Sequence, residues 1–401
     1  VWYTPGVAKP CLDIKDNPEK VFEHTNKGNT IAVISDGTRV LGLGDIGPEA
    51  GLPVMEGKAL LFKYLGGVDV FPIMLDTKDP DKIIETVLIL QPTFGGVNLE
   101  DIAQPKCFRI LDELREKARI PIWHDDQQGT AAVILAGVIN ALKVVGKKMD
   151  EAKFTIVGCG SANTRTFYVL EAAGVNTKNI MVVDSTGILH PGRKELEGTY
   201  KWDITLKTNG EGKTGDMREA FKGSDIAIAA SKPGPGTIKP DDIRLMADDP
   251  ILFACANPVP EIWPWEAKEA GVKVMATGRS DFPNQVNNSL VFPAIFRGAL
   301  DVRAKTITDE MCIASAQELA KYAEDKGLTD EYIIPSMSEW EIYPRQAVAV
   351  GLKAVEQGIA RKKLSRQELY EHAEYIIKRT QDIVALLMKQ GYIAAPPPEP
   401  A

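Results

Sequence analysis

Asp125 and Asp126 stand side by side at the end of the apolar run "IPIW" and just before "QQGTAA". Adjacent carboxylates repel each other and prefer water. A chain that places them where it turns into a core must give them cationic partners. A second acidic pair, Glu100 and Asp101, follows the run "FGGVNL". If both runs are adjacent strands of a parallel sheet, their carboxyl ends converge at the edge where such sheets bind ligands. Up to four carboxylates would then meet in one cleft, an oxygen set suited to Mg²⁺ or Mn²⁺. A local reading competes with this one: acids at helix N-termini cap free N–H groups and favour the dipole. Either pair alone is accounted for locally. Their recurrence at the same kind of position keeps the metal reading open.

A different chemistry is written in "TIVGCGSANTRTFYVLEAAGV". Gly158 and Gly160 follow a strand-like run and open a helical one. That is where a tight turn and free N–H groups receive a pyrophosphate. Asp184 closes the next apolar run, the usual place of a carboxylate for the adenosine ribose hydroxyls. The third glycine of the fingerprint is replaced by Asn163. The ordinary alternative is a plain strand-to-helix turn. A carboxylate at Asp184 favours NAD over NADP, whose 2′-phosphate it would repel; Arg193 and Lys194 lie close enough in sequence to reverse that choice.

Other candidates are ambiguous taken singly. Tyr3 beside a Pro-Gly turn reads as a terminal anchor, and Lys58 as a solvated helix residue. "SDGTRVLGLGDIG" reads as a flexible glycine-rich loop. Asn257, Asn287 and Asn288 read as caps and turn residues.

The elements needed to position these groups are legible. Short β-branched runs at 30–35, 69–75, 94–99 and 120–123 alternate with helical spacing at 53–65, 79–90 and 105–118, and a small-residue helix follows over about 127–144. A second set of strands is predicted at 153–158, 179–184, 225–230, 251–256 and 272–277. Apolar runs without strict alternation suit strands buried on both faces, as in parallel sheets. The remainder is helical over roughly 308–326 and 345–390, ahead of a Pro-rich tail. Two rounds of strand–helix alternation predict an α/β chain of two domains with a cleft between them. The boundaries are 1–126 for the acidic domain, 127–392 for the nucleotide-binding domain with its C-terminal helices, and 393–401 for the tail.

Composition narrows the classes. The chain has 401 residues, 44% hydrophobic, with a formal net charge of −8 and no long Lys/Arg block. Nucleic acid and anionic membranes are therefore not expected partners. Five scattered cysteines (Cys11, Cys107, Cys159, Cys255 and Cys312) form no CxxC pair, which fits a reducing, cytoplasmic setting. No apolar run reaches membrane-spanning length. The chain begins at Val1, so residues are expected to precede it in the native protein.

Taken together, "YTPGVA", "DGTRVLGLGDIG", "PVMEGKALLFK", "LEDIAQPKCFRIL", "HDDQQGTA", "ANPVPE" and "FPNQVNNSLVFPAIFRGALD" resemble, in order, the segments of the malic enzyme family, above all its short bacterial and archaeal form. The resemblance runs from the first residues to about residue 305. It implies an N-terminal α/β catalytic domain like that of amino-acid dehydrogenases and a Rossmann-type NAD(P) domain. Tyr3 matches the family's general acid, Lys58 its general base, and Asp125 the carboxylate paired with that lysine. Glu100, Asp101 and Asp126 match the ligands of Mg²⁺ or Mn²⁺. Arg39 matches an arginine for a substrate carboxylate, and Asn257 and Asn288 match amides on the substrate and nicotinamide side. Gly158, Gly160, Ser161 and Asp184 complete the expected cofactor contacts. The resemblance also implies a homodimer or higher homo-oligomer. No acetyl-CoA-sensing domain is expected after the core.

The implied reaction is oxidative decarboxylation of malate to pyruvate and CO₂ with reduction of NAD, NADP being possible. Lys58 serves as its base if burial and a metal bring its pKa toward neutrality. The small residues after the acids are expected to let the helix pass close to the nicotinamide. Two alternatives remain: a malolactic-type conversion to lactate with bound NAD, and a non-catalytic NAD-binding sensor.

Overall fold

The computed structural model describes residues 3–394; most of the Pro-rich tail lies outside them. Two sheets organise the chain. The first comprises β1 (Thr30–Ser35), β2 (Asp69–Met74), β3 (Gly96–Leu99) and β4 (Ile122–His124), in the order β2-β1-β3-β4. The second comprises β5 (Phe154–Val157), β6 (Ile180–Asp184), β7 (Gly187–Ile188), β8 (Ile226–Ala229), β9 (Ile251–Ala254) and β10 (Val274–Thr277). Its order is β10-β9-β8-β5-β6-β7. All pairings are parallel except β6 with β7. The expected α/β architecture is therefore present; the apolar runs of β1, β3, β4, β5, β8, β9 and β10 are strands buried on both faces, whereas the edge strand β2 is only half-buried.

The longer helices supply the covering layers: α1 (Ala8–Asp16), α2 (Pro48–Gly66), α3 (Pro80–Leu90), α4 (Lys106–Lys117), α5 (Thr130–Val144) and α6 (Ser161–Ala172). At the C-terminal end follow α7 (Phe292–Asp301), α8 (Asp309–Lys326), α9 (Ile342–Glu356) and α10 (Arg366–Lys389). Helix α2 starts earlier than its apolar spacing suggests, because Pro48 fits the first helical position, where no N–H is needed. The helical stretch expected over 345–390 divides into two helices. Gly358, at φ +71°, ends α9 in the left-handed region, and Ser365 with Glu368 forms a capping box that starts α10.

One apolar core is continuous across both sheets. It includes Ile31 and Phe62 of the first unit, Phe154 of the second, and Phe292, Phe296 and Ile377 of the C-terminal helices. Helices α7 and α10 also touch the first unit directly. Arg297 donates to Asn29 Oδ1 at 2.6 Å, and Gln381 Nε2 donates to the Tyr64 carbonyl at 3.3 Å. Among the described residues no helix is long and apolar enough to cross a membrane.

Candidate active site

The register of the first sheet brings its acids together. Leu99 of β3 pairs with His124 of β4, so Glu100 and Asp125 are each the next residue along, and the carboxyl ends of both strands open on one cleft. From β4 the chain enters a wide π-turn over Asp125–Gly129 before α5 begins. Such turns are short and recur at functional sites. Here the turn folds Asp125 back over the start of α5. A Cβ added to Gly129 would sit 1.9 Å from Asp125 Oδ1, so the glycine is the space the carboxylate occupies. That is a different reason for Gly129 from the close passage beneath the nicotinamide suggested by the sequence.

Lys58 reaches this point from α2. It is 7% exposed, so it is not the solvated face residue its composition suggests. Its ammonium pairs with Asp125 and lies 2.7 Å from Glu100 Oε1. It also stands 4.4 Å above the Phe292 ring, a cation–π contact. The other oxygens of both acids are held as well. Trp123 Nε1 donates to Asp125 Oδ1 at 3.1 Å, and the buried Asn98 amide donates to Glu100 Oε2 at 2.9 Å. Burial pushes the Lys58 pKa down, but the charges of Asp125 and Glu100 overcome it and hold the ammonium above its ordinary value. Burial alone therefore does not bring the lysine toward neutrality; the expected lowering needs the positive charge of a cation beside it as well.

Glu100, Asp101 and Asp126 each offer a carboxylate oxygen, and these lie within 4.8 Å of one another. Asp126 Oδ2 accepts the Asp101 N–H at 2.8 Å, while Asp101 Oδ2 is buried without a partner among the described residues. Asp101 adopts φ +53°, an uncommon conformation for a non-glycine residue, and its carbonyl accepts the Arg39 N–H at 2.9 Å. Burial, then the charge of Asp126, pushes the Asp101 pKa up to about 8. Glu100 is raised by burial and by its acidic neighbours. One ammonium among four carboxylates leaves excess negative charge. Convergent oxygens, one buried and unpartnered, fit a hard divalent cation.

The second sheet forms the other wall. Gly158, at φ +93°, makes the turn from β5 into α6, and Gly160 has open space in front of it. Asn163, at the position of the third glycine, is buried and does not disturb the packing. Its amide donates to the Val157 and Gly158 carbonyls at 2.8 and 3.1 Å, tying α6 to the strand end. Asp184 faces the cleft at the end of β6 but is not free. It accepts from Arg193 at 2.8 and 3.3 Å and from Lys201 at 2.6 Å, while Lys194 turns away to Glu197. Burial opposes the charge of Asp184, and Arg193 and Lys201 hold its carboxyl well below the usual range.

These walls enclose a cleft of roughly 810 Å³. Arg39, Lys58, Glu100, Asp101 and Asp126 of the first unit line it together with Gly158, Gly160, Ser161, Asp184, Asn257 and Asn288 from the rest of the chain, and Asn288 packs close to Gly129 on the Asp125 side. Asp125 lies fully buried behind Lys58. Tyr3 is not brought in: it is 77% exposed, and α1 just beyond it buries no residue. Sequence reasoning missed Asn98, Trp123, Phe292 and Lys201. The first three sit beside or inside quoted motifs, where a polar or aromatic neighbour was a usable signal. Lys201 lies 17 residues from Asp184, with only short elements between them, and no local pattern joins the two.

Known proteins resemble this chain along most of its length. The chain matches the family model for the malic enzyme N-terminal domain over residues 1–82 and 77–115, and that for the malic enzyme NAD-binding domain over 127–355. It is 49% identical over 369 residues to a bifunctional malic/malolactic enzyme of Bacillus subtilis, covering 92% of this chain and 89% of that protein. It is 50% identical over 360 residues to an NAD-dependent malic enzyme of Geobacillus stearothermophilus, covering 90% and 74%. The solved malic enzyme of Entamoeba histolytica superposes with a TM-score of 0.96 at 48% identity, over 99% of this chain and 84% of that one. That of Pyrococcus horikoshii gives 0.93 at 52%, over 97% and 90%. Two domain models in order, relatives near half identity and whole-chain superposition lead to one conclusion: this chain belongs to the malic enzyme family.

Proposed function

We propose that the chain catalyses metal-dependent oxidative decarboxylation of L-malate to pyruvate and CO₂ with reduction of NAD(P). The observation that carries this reading is the placing of Lys58 between Asp125 and Glu100, beside the carboxylates of Asp101 and Asp126 and across the cleft from the dinucleotide loop.

In this reading Glu100, Asp101 and Asp126 hold Mg²⁺ or Mn²⁺. Bound there, the cation would polarise the substrate's C2 oxygen and offset the field that keeps Lys58 protonated. Lys58 takes the C2 hydroxyl proton and Asp125 orients it from behind. Arg39 pairs with a substrate carboxylate. Asn257 and Asn288 position the substrate against the nicotinamide, which accepts the C2 hydride when bound. Loss of the C4 carboxylate leaves an enolate that needs a proton at C3. Tyr3 is assigned that proton by resemblance. Its exposure on its own chain implies delivery from a second copy, which agrees with a homodimer. Residues 1–126 would form the catalytic domain and 127–392 the nucleotide domain, working in the cytoplasm. The test is an assay of malate with NAD and NADP in parallel, with and without Mn²⁺, following pyruvate and the reduced nicotinamide. Formation of neither pyruvate nor reduced nicotinamide in any of these assays would refute the oxidative reading.

The name of the Bacillus subtilis relative supports a second outcome on the same site, lactate formation with the hydride returned. Lactate appearing without accumulation of reduced cofactor would identify it.

A further inference from the structure

Glu261, the last residue of "ANPVPE", has no role in the reaction outlined above, yet it is a fully buried carboxylate. A buried acid persists only where its oxygens are well partnered. Glu261 Oε1 accepts the Ser231 N–H at 2.8 Å and the Ser231 hydroxyl at 3.0 Å. Its Oε2 accepts the Ala256 N–H at 3.1 Å. Ser231 follows β8 and Ala256 follows β9, so one side chain ties together two neighbouring strand-end loops. Both loops line the cleft through Ser231, Pro233, Ala256 and Asn257, whereas Glu261 itself does not.

These loops stand on the side of β5 away from Asp184. In an open parallel sheet a dinucleotide lies across the strand ends, with its adenosine on the Asp184 side and its nicotinamide over the opposite strands. The space around the loops is tight. A Cβ on Gly42, in the Arg39–Gly44 loop of the first unit, would meet the Asn257 carbonyl oxygen at 2.1 Å and Pro233 Cγ at 2.9 Å. A Cβ on Gly278 would meet Asn257 Nδ2 at 2.7 Å. Asn257 therefore sits between two glycines, on a loop whose start is fixed by Glu261, and the first unit rests against that loop.

We infer that Glu261 is a positioning residue for the nicotinamide half of the site: by clamping the loops after β8 and β9 it sets the place of Asn257 and the surface on which the first unit closes. The inference rests on the dinucleotide reading of the cleft. Glu261→Gln keeps the size of the side chain but turns an N–H₂ toward one of the two backbone N–H groups, leaving that donor unpaired.

The test compares NADH with ADP-ribose, which lacks the nicotinamide, by calorimetric titration of the full chain. Thermal melting and steady-state kinetics accompany it. Glu261→Gln is expected to weaken NADH binding on the order of tenfold, because a loop no longer held in its binding position must be ordered when the ligand binds. ADP-ribose binding should stay within about twofold, because its contacts lie at Gly158 and Asp184. Ser231→Ala removes only one of the three bonds. It should give the same pattern at smaller size, and it serves as the folded variant if Glu261→Gln does not fold. Equal weakening of both ligands, or a lower melting temperature with both affinities unchanged, would overturn the positioning role. If the wild type binds neither ligand, the dinucleotide reading fails and the Glu261 role falls with it.

Discussion

Lys58 Nζ lies 2.7 Å from Glu100 Oε1, so the proposed base shares an oxygen with a proposed metal ligand. The same ammonium pairs with Asp125 on its other side. In the proposed mechanism acid–base chemistry and cation binding would share one ion pair, and changes on either side should be felt on the other.

Lys58→Ala should lower malate oxidation by about 10²–10⁴, the range for loss of a general base. Supplying oxaloacetate bypasses the oxidation, so a larger share of cation-dependent decarboxylation should survive. Removing the ammonium also leaves Asp125 buried without its cation, so circular dichroism must accompany the rates. Near wild-type malate oxidation by the mutant would mean that the base lies elsewhere.

Asp126→Asn removes one ligand charge and weakens the acceptor of the Asp101 N–H. Mn²⁺ affinity, read from the electron paramagnetic resonance of the free ion, should fall on the order of tenfold or more, as expected when a charged ligand becomes a neutral one. NADH binding should be unchanged, because Asp126 lies on the opposite wall. Full wild-type turnover in excess EDTA would remove the metal from the mechanism.

The pH dependence follows from Asp101, whose pKa is pushed up to about 8 by burial and by Asp126. The unfolded value is near 3.9, so between about pH 4 and pH 8 the folded state holds a proton that the unfolded state has lost. In the cation-free protein, stability should therefore decline as pH rises through that window. Below pH 8 a binding cation must displace the Asp101 proton, so Mn²⁺ affinity should climb with pH toward about 8. Calorimetry in two buffers of different ionisation enthalpy measures the released proton. Flat affinity from pH 6 to pH 8 would contradict the assignment.

Cofactor choice turns on Asp184 and its partners. NAD is expected to give the higher kcat/KM, because a carboxylate at the ribose repels a 2′-phosphate. Arg193 and Lys201 temper that repulsion. Lys201→Ala should widen the preference for NAD on the order of tenfold, and Asp184→Ser should narrow it by relaxing the exclusion of NADP. The check is the ratio of kcat/KM values for the two cofactors in all three proteins. A wild type that prefers NADP would reverse the reading of Asp184.

Tyr3 supplies a complementation test. Tyr3→Phe and Lys58→Ala should each be nearly inactive. If Tyr3 serves a neighbouring copy, unfolding and refolding the two together should restore about a quarter of wild-type activity, because half the dimers are mixed and each mixed dimer holds one intact site. No recovery from verified mixed dimers would place the proton donor within the same chain as Lys58 or at another residue.

Much of this molecule is written locally. The strand runs, the glycine turn into α6 and the acids after β3 and β4 are patterns of neighbouring residues. Local periodicity and turn chemistry suffice to reveal them, and they fix a parallel α/β chain with carboxylates at its strand ends. What those carboxylates touch was decided only by packing. Lys58 and Asp125 are 67 residues apart in sequence, and the amphipathic spacing of α2 does not say that one lysine turns inward. The pairing of Asp184 with Lys201 likewise crosses a stretch with no long repeat. Asp125 fits because a π-turn folds it into the space left at Gly129, a relationship among atoms that residue types alone do not express. Tyr3 shows the converse. Its motif is plain in the sequence, yet its side chain stands in solvent, because α1 just beyond it buries no residue against the rest of the described chain.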